Sequence, residues 1–244
     1  MTPGVTAISR EVYDLHMLIF WICVAIGAVV FGVMFWSIYH HRKSRGAVAA
    51  QFHESALVEV LWTIVPMLIL VAMAVPATKT LIRMADARGA DLTIKVTGYQ
   101  WRWHYEYLNE GIDFFSTLAT PQDQIHNTVP KDATYLLEVD RRLVVPVGKK
   151  IRILTTAADV IHSWWVPALG WKRDAIPGFI NESWTLIEKP GVYRGQCAEL
   201  CGQDHGFMPV VVDAVPEAEF QQWVANMKAK NLPAAQAANG GQPL

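Results

Sequence analysis

A hairpin of two membrane-spanning helices followed by an all-β sandwich is the fold class this chain predicts. Three observations carry it. Two long apolar runs in the first third are free of charge, at Met17 to Tyr39 (23 residues) and Val60 to Thr78 (19 residues). From about Asp91 on, short runs of β-branched and aromatic residues alternate with polar ones and are broken by turn residues. Late in the chain, soft metal-binding side chains crowd into one loop, where no helix or strand pattern accounts for them.

Each apolar run is long enough to cross a hydrocarbon core of about 30 Å, which takes roughly 20 residues as a helix. Soluble core helices show a polar face, and these do not. A cleaved signal peptide fits the first run poorly, because Met1 to Ser9 lacks a basic leader and the apolar stretch is too long. The connecting segment His40-His41-Arg42-Lys43-Ser44-Arg45 is basic, which assigns it to the cytoplasmic side and both termini to the outer side. Trp21, Trp36, Tyr39 and Trp62 read as interfacial aromatics. Residues 1–89 thus read as a two-helix transmembrane hairpin in a lipid bilayer.

From Asp91 on there are 17 Asp+Glu against 14 Lys+Arg, a net of −3, which excludes nucleic acid as an obvious partner. Strands are expected at Leu92–Thr97, Trp101–Tyr107, Tyr135–Val139, Leu143–Val147, Lys150–Thr155, Ser183–Ile187, Val192–Gln196 and Pro209–Ala214. A further strand is expected to end at His162. Phe115 to Ala133 is polar and Pro-containing, and reads as a long loop. Such spacing suggests a sandwich or barrel over residues 90–215. Pro216-Glu217-Ala218-Glu219 opens a C-terminal helix with acidic residues at its positive end. Within residues 216–244, the stretch from Leu232 is Ala, Gln, Gly and Pro, and reads as a disordered tail.

The crowded loop runs Gln196-Cys197-Ala198-Glu199-Leu200-Cys201-Gly202-Gln203-Asp204-His205-Gly206-Phe207-Met208. Its spacing is C-x3-C-x3-H-x2-M. Thiolates and a thioether are soft donors and suit copper rather than Mg, Ca or Mn. A single-copper site needs one Cys only; a second thiolate allows each sulfur to bridge two metals. Zinc would accept two Cys and a His but gives Met208 no role. A Cys197–Cys201 disulfide would leave His205 and Met208 unexplained. A partner His is needed, and His162, flanked by apolar and aromatic residues, is the candidate. At Glu199 the backbone carbonyl can turn toward the metal, leaving the carboxylate for a hard cation such as Mg. Cys23 lies mid-membrane and reads as an apolar filler.

The runs Gly98 to Tyr107, Leu137-Glu138-Val139-Asp140, Val160 to Trp164, Asp174-Ala175-Ile176-Pro177-Gly178 and Gly195 to Pro209 extend the pattern. Through them the chain resembles subunit II of the haem–copper cytochrome c oxidases of bacterial type, over nearly its full length. The resemblance implies a cupredoxin-like sandwich carrying CuA, a dinuclear copper centre. It matches Cys197 and Cys201 to the bridging thiolates and His162 and His205 to the imidazole ligands. Met208 matches the thioether ligand, and Glu199 the carbonyl ligand. The Glu199 side chain also matches a ligand to Mg (or Mn) shared with subunit I. Trp101 matches the residue through which electrons arrive from cytochrome c. Asp140, Asp159 and Asp174 match carboxylates of the cytochrome c docking surface. Glu59 matches a carboxylate at the mouth of a proton pathway. The implied function is transfer of electrons from cytochrome c to haem a of subunit I, for oxygen reduction coupled to proton pumping, alongside subunits I and III in a bacterial plasma membrane. Arg102 departs from the pattern, standing where an aromatic is common, and no C-x2-C-H of a fused haem domain occurs in the chain.

Overall fold

A computed structural model describes residues 3–239. It divides into two compact units, one of Glu11–Ile82 and one of Met1–Arg10 with Arg83–Leu244.

Helices α1 (Ala7–His40) and α2 (Ala56–Ala85) run through the first unit. Their most apolar windows bury nothing in the protein, and Trp21, Val29, Phe35, Trp36, Trp62 and Leu70 are all more than half exposed. So large an apolar surface is incompatible with water and fits a bilayer. At 1.5 Å per residue α1 is about 50 Å long, which exceeds the hydrocarbon thickness.

The second unit is a sandwich of two five-stranded sheets. One sheet has the order β3 (Ile112–Ser116), β2 (Arg102–Tyr107), β1 (Leu92–Tyr99), β5 (Ile151–Ala157), β8 (Asn181–Thr185). The other has β4 (Leu143–Pro146), β10 (Pro209–Val215), β9 (Gly191–Cys197), β6 (His162–Val166), β7 (Trp171–Ala175). Strands β1 and β5 pair parallel, as do β4 and β10; the other neighbours are antiparallel. Alternate residues of β1 and β5 (Leu92, Ile94, Val96; Ile151, Ile153) are buried, as the period of two requires. They meet Trp103, Tyr105, Trp164 and Val210 in the core. Helix α4 (Glu217–Asn239) packs Trp223 against Tyr107, with ring centres 5.1 Å apart and the planes tilted by 48°.

Several sequence expectations are corrected. Tyr135–Val139 is not a strand. Leu136 has a left-handed φ of 58°, the Leu137 amide closes a turn on Thr134, and only Val139 forms an isolated bridge, to Leu118. His162 begins a strand rather than ending one, because Asp159 holds the preceding residues in a loop. Strands β3 and β7 went unread, and Phe115 and Ser116 belong to β3 rather than to the loop, which holds the short helix α3 (Gln122–Ile125). Helix α4 continues through the tail expected to be disordered, as its Ala- and Gln-rich sequence favours; the remainder of that tail, 240–244, lies outside the described residues.

The first ten residues also join the sandwich unit rather than the hairpin. The Val5 amide donates to the Ala168 carbonyl, and the Thr6 hydroxyl to that of Leu169. Thr6 and Ser9 cap the start of α1 reciprocally: the Ser9 amide donates to Thr6 Oγ1 and the Thr6 amide to Ser9 Oγ.

Candidate metal centre

The pairing of β6 with β9 sets Trp164 opposite Cys197, which brings the start of β6 beside the end of β9. The loop after β9 folds back through a short 3₁₀ turn, His205–Phe207, into β10. Five soft or borderline donors converge as a result. Cys197 Sγ and Cys201 Sγ are 3.8 Å apart. His162 Nδ1 lies 4.0 Å from Cys197 Sγ, and His205 Nδ1 lies 3.4 Å from Cys201 Sγ. Met208 Sδ is 3.5 Å from Cys201 Sγ, and the Glu199 carbonyl oxygen is 3.3 Å from Cys197 Sγ. Cys197, Cys201, His162 and Met208 are buried. The Glu199 residue itself is exposed.

Burial raises the Cys197 pKa, but hydrogen bonds from His162 and from the Ser163 and Glu199 backbone outweigh it and hold the thiol below its ordinary value. Burial, followed by the neighbouring Cys197 charge, pushes Cys201 up to about 12. Burial disfavours the charged form of His162, yet Cys197 and Asp159 together raise its pKa.

Glycine is required beside His162. A Cβ on Gly98 would sit 2.7 Å from the imidazole Cδ2 and 2.9 Å from Cγ. The Trp103 ring closes another side, 5.9 Å away and edge-on at 64°, and its Nε1 donates to the Met208 carbonyl.

Trp101 lies in the tight β1–β2 turn, outside the strand expected for it. Its Nε1 donates to the Cys201 carbonyl at 3.2 Å, and Gln100 Nε2 donates to the same oxygen at 2.9 Å. Gly202, at φ +119°, lets the loop pass against both side chains. A hollow of about 400 Å³ opens beside Trp101, lined also by Thr117, Leu118, Gln122, Asp204 and Phe207.

The three expected docking carboxylates differ. Asp140 is exposed, and its Oδ1 accepts the Thr117 amide. Asp174 is half-buried on β7, opposite Ser163. Asp159 is exposed as a residue, yet its carboxylate accepts the Gln100 and Val160 amides, each at 2.7 Å, and lies 2.9 Å from His162 Nε2. Those contacts outweigh burial and lower its pKa. Glu59 is exposed in the first turn of α2, in the other unit. Sequence reasoning missed Gln100, Gly98 and the inward role of Asp159. Gln100 acts across 59 and 101 positions of chain and Gly98 through the absence of a side chain, so no local spacing announces them, whereas Asp159 stands only three positions before His162.

The donor set fits copper: soft sulfurs and imidazoles converge in a buried pocket, with a thioether to which zinc gives no role and a second thiol that a single blue-copper site does not need. Comparison with known proteins agrees. The family model for the periplasmic domain of cytochrome c oxidase subunit II matches residues 92–215, and that for its transmembrane domain matches residues 1–80. A probable cytochrome c oxidase subunit 2 of Rickettsia bellii is 41% identical over 238 residues, covering 97% of this chain and 86% of the relative. The mitochondrial cytochrome c oxidase subunit 2 of Glycine max is 38% identical over 227 residues, covering 91% of this chain and 57% of the relative. The crystal structure of the periplasmic domain of subunit II of cytochrome oxidase from Bradyrhizobium japonicum is 47% identical, with a TM-score of 0.53, and covers 59% of this chain and 98% of that one. A crystal structure described as a mixed disulfide intermediate between a thioredoxin-like protein and subunit II of cytochrome c oxidase is 45% identical, with a TM-score of 0.50, over 59% of this chain and 96% of that one. Both halves of the chain and its metal-binding loop therefore lead to one assignment: the protein belongs to the cytochrome c oxidase subunit II family.

Proposed function

We propose that this chain receives electrons one at a time from reduced cytochrome c and delivers them to haem a of subunit I, for reduction of oxygen to water coupled to proton pumping. The observation that carries this reading is the meeting of two buried thiols, 3.8 Å apart, with two imidazoles and a thioether. His162, Cys197, Cys201, His205, Met208 and the Glu199 carbonyl would hold two copper ions. Bound there, a dinuclear copper pair supplies reversible one-electron chemistry with little change in bonding.

The remaining steps belong to the chain's own residues. Trp101 stands between the hollow at the surface and the Cys201 carbonyl, and couples a docked donor to the site. Asp140 and Asp174 present negative charge to a basic cytochrome, which speeds encounter more than it tightens binding. The buried walls exclude water and fix the ligands, so that little must rearrange on reduction. The exposed Glu199 carboxylate is free to serve a Mg (or Mn) ion shared with subunit I. Glu59 would collect protons at the mouth of a pathway into subunit I. The hairpin would span the bacterial plasma membrane beside subunits I and III, with the basic loop inside and the copper domain outside. The two thiols must be reduced before metal binds. The mixed disulfide formed by the solved relative supports a thioredoxin-like reductant acting on this pair as well.

The test is a copper count and an electron paramagnetic resonance spectrum of the purified chain, with oxidation assays on cytochrome c and on quinol in the assembled oxidase. Two coppers sharing one unpaired electron, and activity with cytochrome c, are expected. Cys197→Ser and Cys201→Ser should each abolish the shared-electron signal. One copper per chain, or its retention in either variant, refutes the reading.

A further inference from the structure

We propose that Asp159 is the positioning residue for the metal-facing nitrogen of His162, and acts on electron transfer through that ligand rather than by touching cytochrome c. The inference rests on the copper reading above. Its support is the way the carboxylate is used. Oδ2 accepts the Gln100 amide at 2.7 Å, and Oδ1 accepts the Val160 amide at 2.7 Å. His162 Nε2 faces Oδ1 at 2.9 Å. An ionised carboxylate only accepts hydrogen bonds, so the imidazole must donate here. The ring proton therefore resides on Nε2. In the neutral ring, the form that can bind a metal, that leaves a lone pair on Nδ1, the nitrogen that faces Cys197 Sγ. A carboxylate behind a ligating imidazole fixes both its tautomer and its orientation.

The surroundings deny the ring an alternative. His162 is fully buried, Gly98 lies against its Cδ2 and Cγ edge, and Trp103 stands edge-on to it. A flipped ring would aim a carbon at Asp159 and another at Cys197. The same carboxylate holds the Gln100 amide, in the turn that carries Trp101. Gln100 and Trp101 both donate to the Cys201 carbonyl. One side chain thus ties a ligand on β6 to the turn that touches the loop of the two thiols.

The test uses the full-length chain in detergent with Asp159→Asn, Asp159→Ala and, as a control, Asp174→Asn. Copper is titrated against a competing chelator, and ¹⁵N-labelled histidine reports the His162 tautomer in the metal-free chain. The expected results are an Nε2–H tautomer in the parent chain and its loss in Asp159→Ala. Copper affinity should fall about 10- to 100-fold in the Asp159 variants, by the same factor at low and high ionic strength, and stay unchanged in Asp174→Asn. Parent-level affinity in Asp159→Asn, or an Nδ1–H tautomer in the metal-free parent, overturns the proposal. If Asp159→Ala fails to fold, Asp159→Asn and the parent tautomer still decide it. A parent chain that takes up fewer than two coppers would instead defeat the copper reading, while the tautomer measurement still reports on Asp159.

Discussion

Replacing Gly98 by alanine should dismantle the metal site while leaving the sandwich folded. The φ of Gly98 lies outside the left-handed region, so alanine meets no backbone strain there, and the effect is steric alone. Its Cβ would lie 2.7 Å from His162 Cδ2, against about 3.4 Å for ordinary contact, so the ring must retreat by about 0.7 Å. It has nowhere to go: its Nε2 is held by Asp159, Trp103 stands beside it, and the residue is fully buried. Metal–ligand distances tolerate deviations of about 0.2 Å. A displacement more than three times that size should remove His162 from the coordination set. Overpacking of this kind costs about 1–3 kcal/mol, and each kcal/mol lowers Tm by about 2–4 °C in a domain of this size. Copper stoichiometry and electron paramagnetic resonance read the site, and a thermal melt followed by circular dichroism reads the fold. A Gly98→Ala chain that binds two coppers with the parental spectrum would refute the reasoning.

Trp101→Ala should keep its copper, because Gln100 still donates to the Cys201 carbonyl, but electron transfer from cytochrome c should slow severely; an unchanged rate in stopped-flow would exclude Trp101 as the coupling residue. Asp140→Asn and Asp174→Asn should each slow association with cytochrome c about 1.5- to 5-fold at low salt, as solvent-screened charges worth about 0.2–1 kcal/mol do. The loss should vanish at high ionic strength, and a salt-independent loss would show that these carboxylates do not dock the donor. Glu59→Ala should slow steady-state oxygen consumption while reduction of the chain by cytochrome c stays normal; parental oxygen consumption would leave Glu59 an ordinary surface charge. Burial pushes the Glu138 carboxyl up, but hydrogen bonds from Arg142 and Arg194 and the Val139 amide outweigh it and lower its pKa from 4.5 to about 2. Because the folded value is depressed, the stabilisation, on the order of 2–3 kcal/mol, is fully present above pH about 4.5 and fades as pH falls toward 2. Denaturant melts of the parent and Glu138→Gln should therefore converge on acidification, and a gap constant from pH 7 to pH 3 would count against this.

The sequence by itself determined the two membrane helices, the all-β domain and the metal loop. Each is a local signal. An uncharged run of 23 residues needs no partner to declare itself. Four ligands within twelve residues lie within reach of one centre whatever the fold does around them. The strand at Tyr135–Val139 was misread because β-branched and aromatic composition cannot reveal a left-handed residue such as Leu136. Strand β6 was misplaced because Asp159, a cap visible only with its partners, decides where it starts. Only the tertiary structure decided what surrounds the ligands. Pairing of β6 with β9 brings His162 to Cys197 across 35 positions, and the β1–β2 turn brings Gln100 and Trp101 to Cys201 across about a hundred. Gly98 matters through the side chain it lacks, and Asp159 through the direction in which its carboxylate points. The roles of Gly98, Gln100 and Trp101 depend on distances between segments remote in sequence, set by sheet register and core packing, which no local pattern of residues encodes.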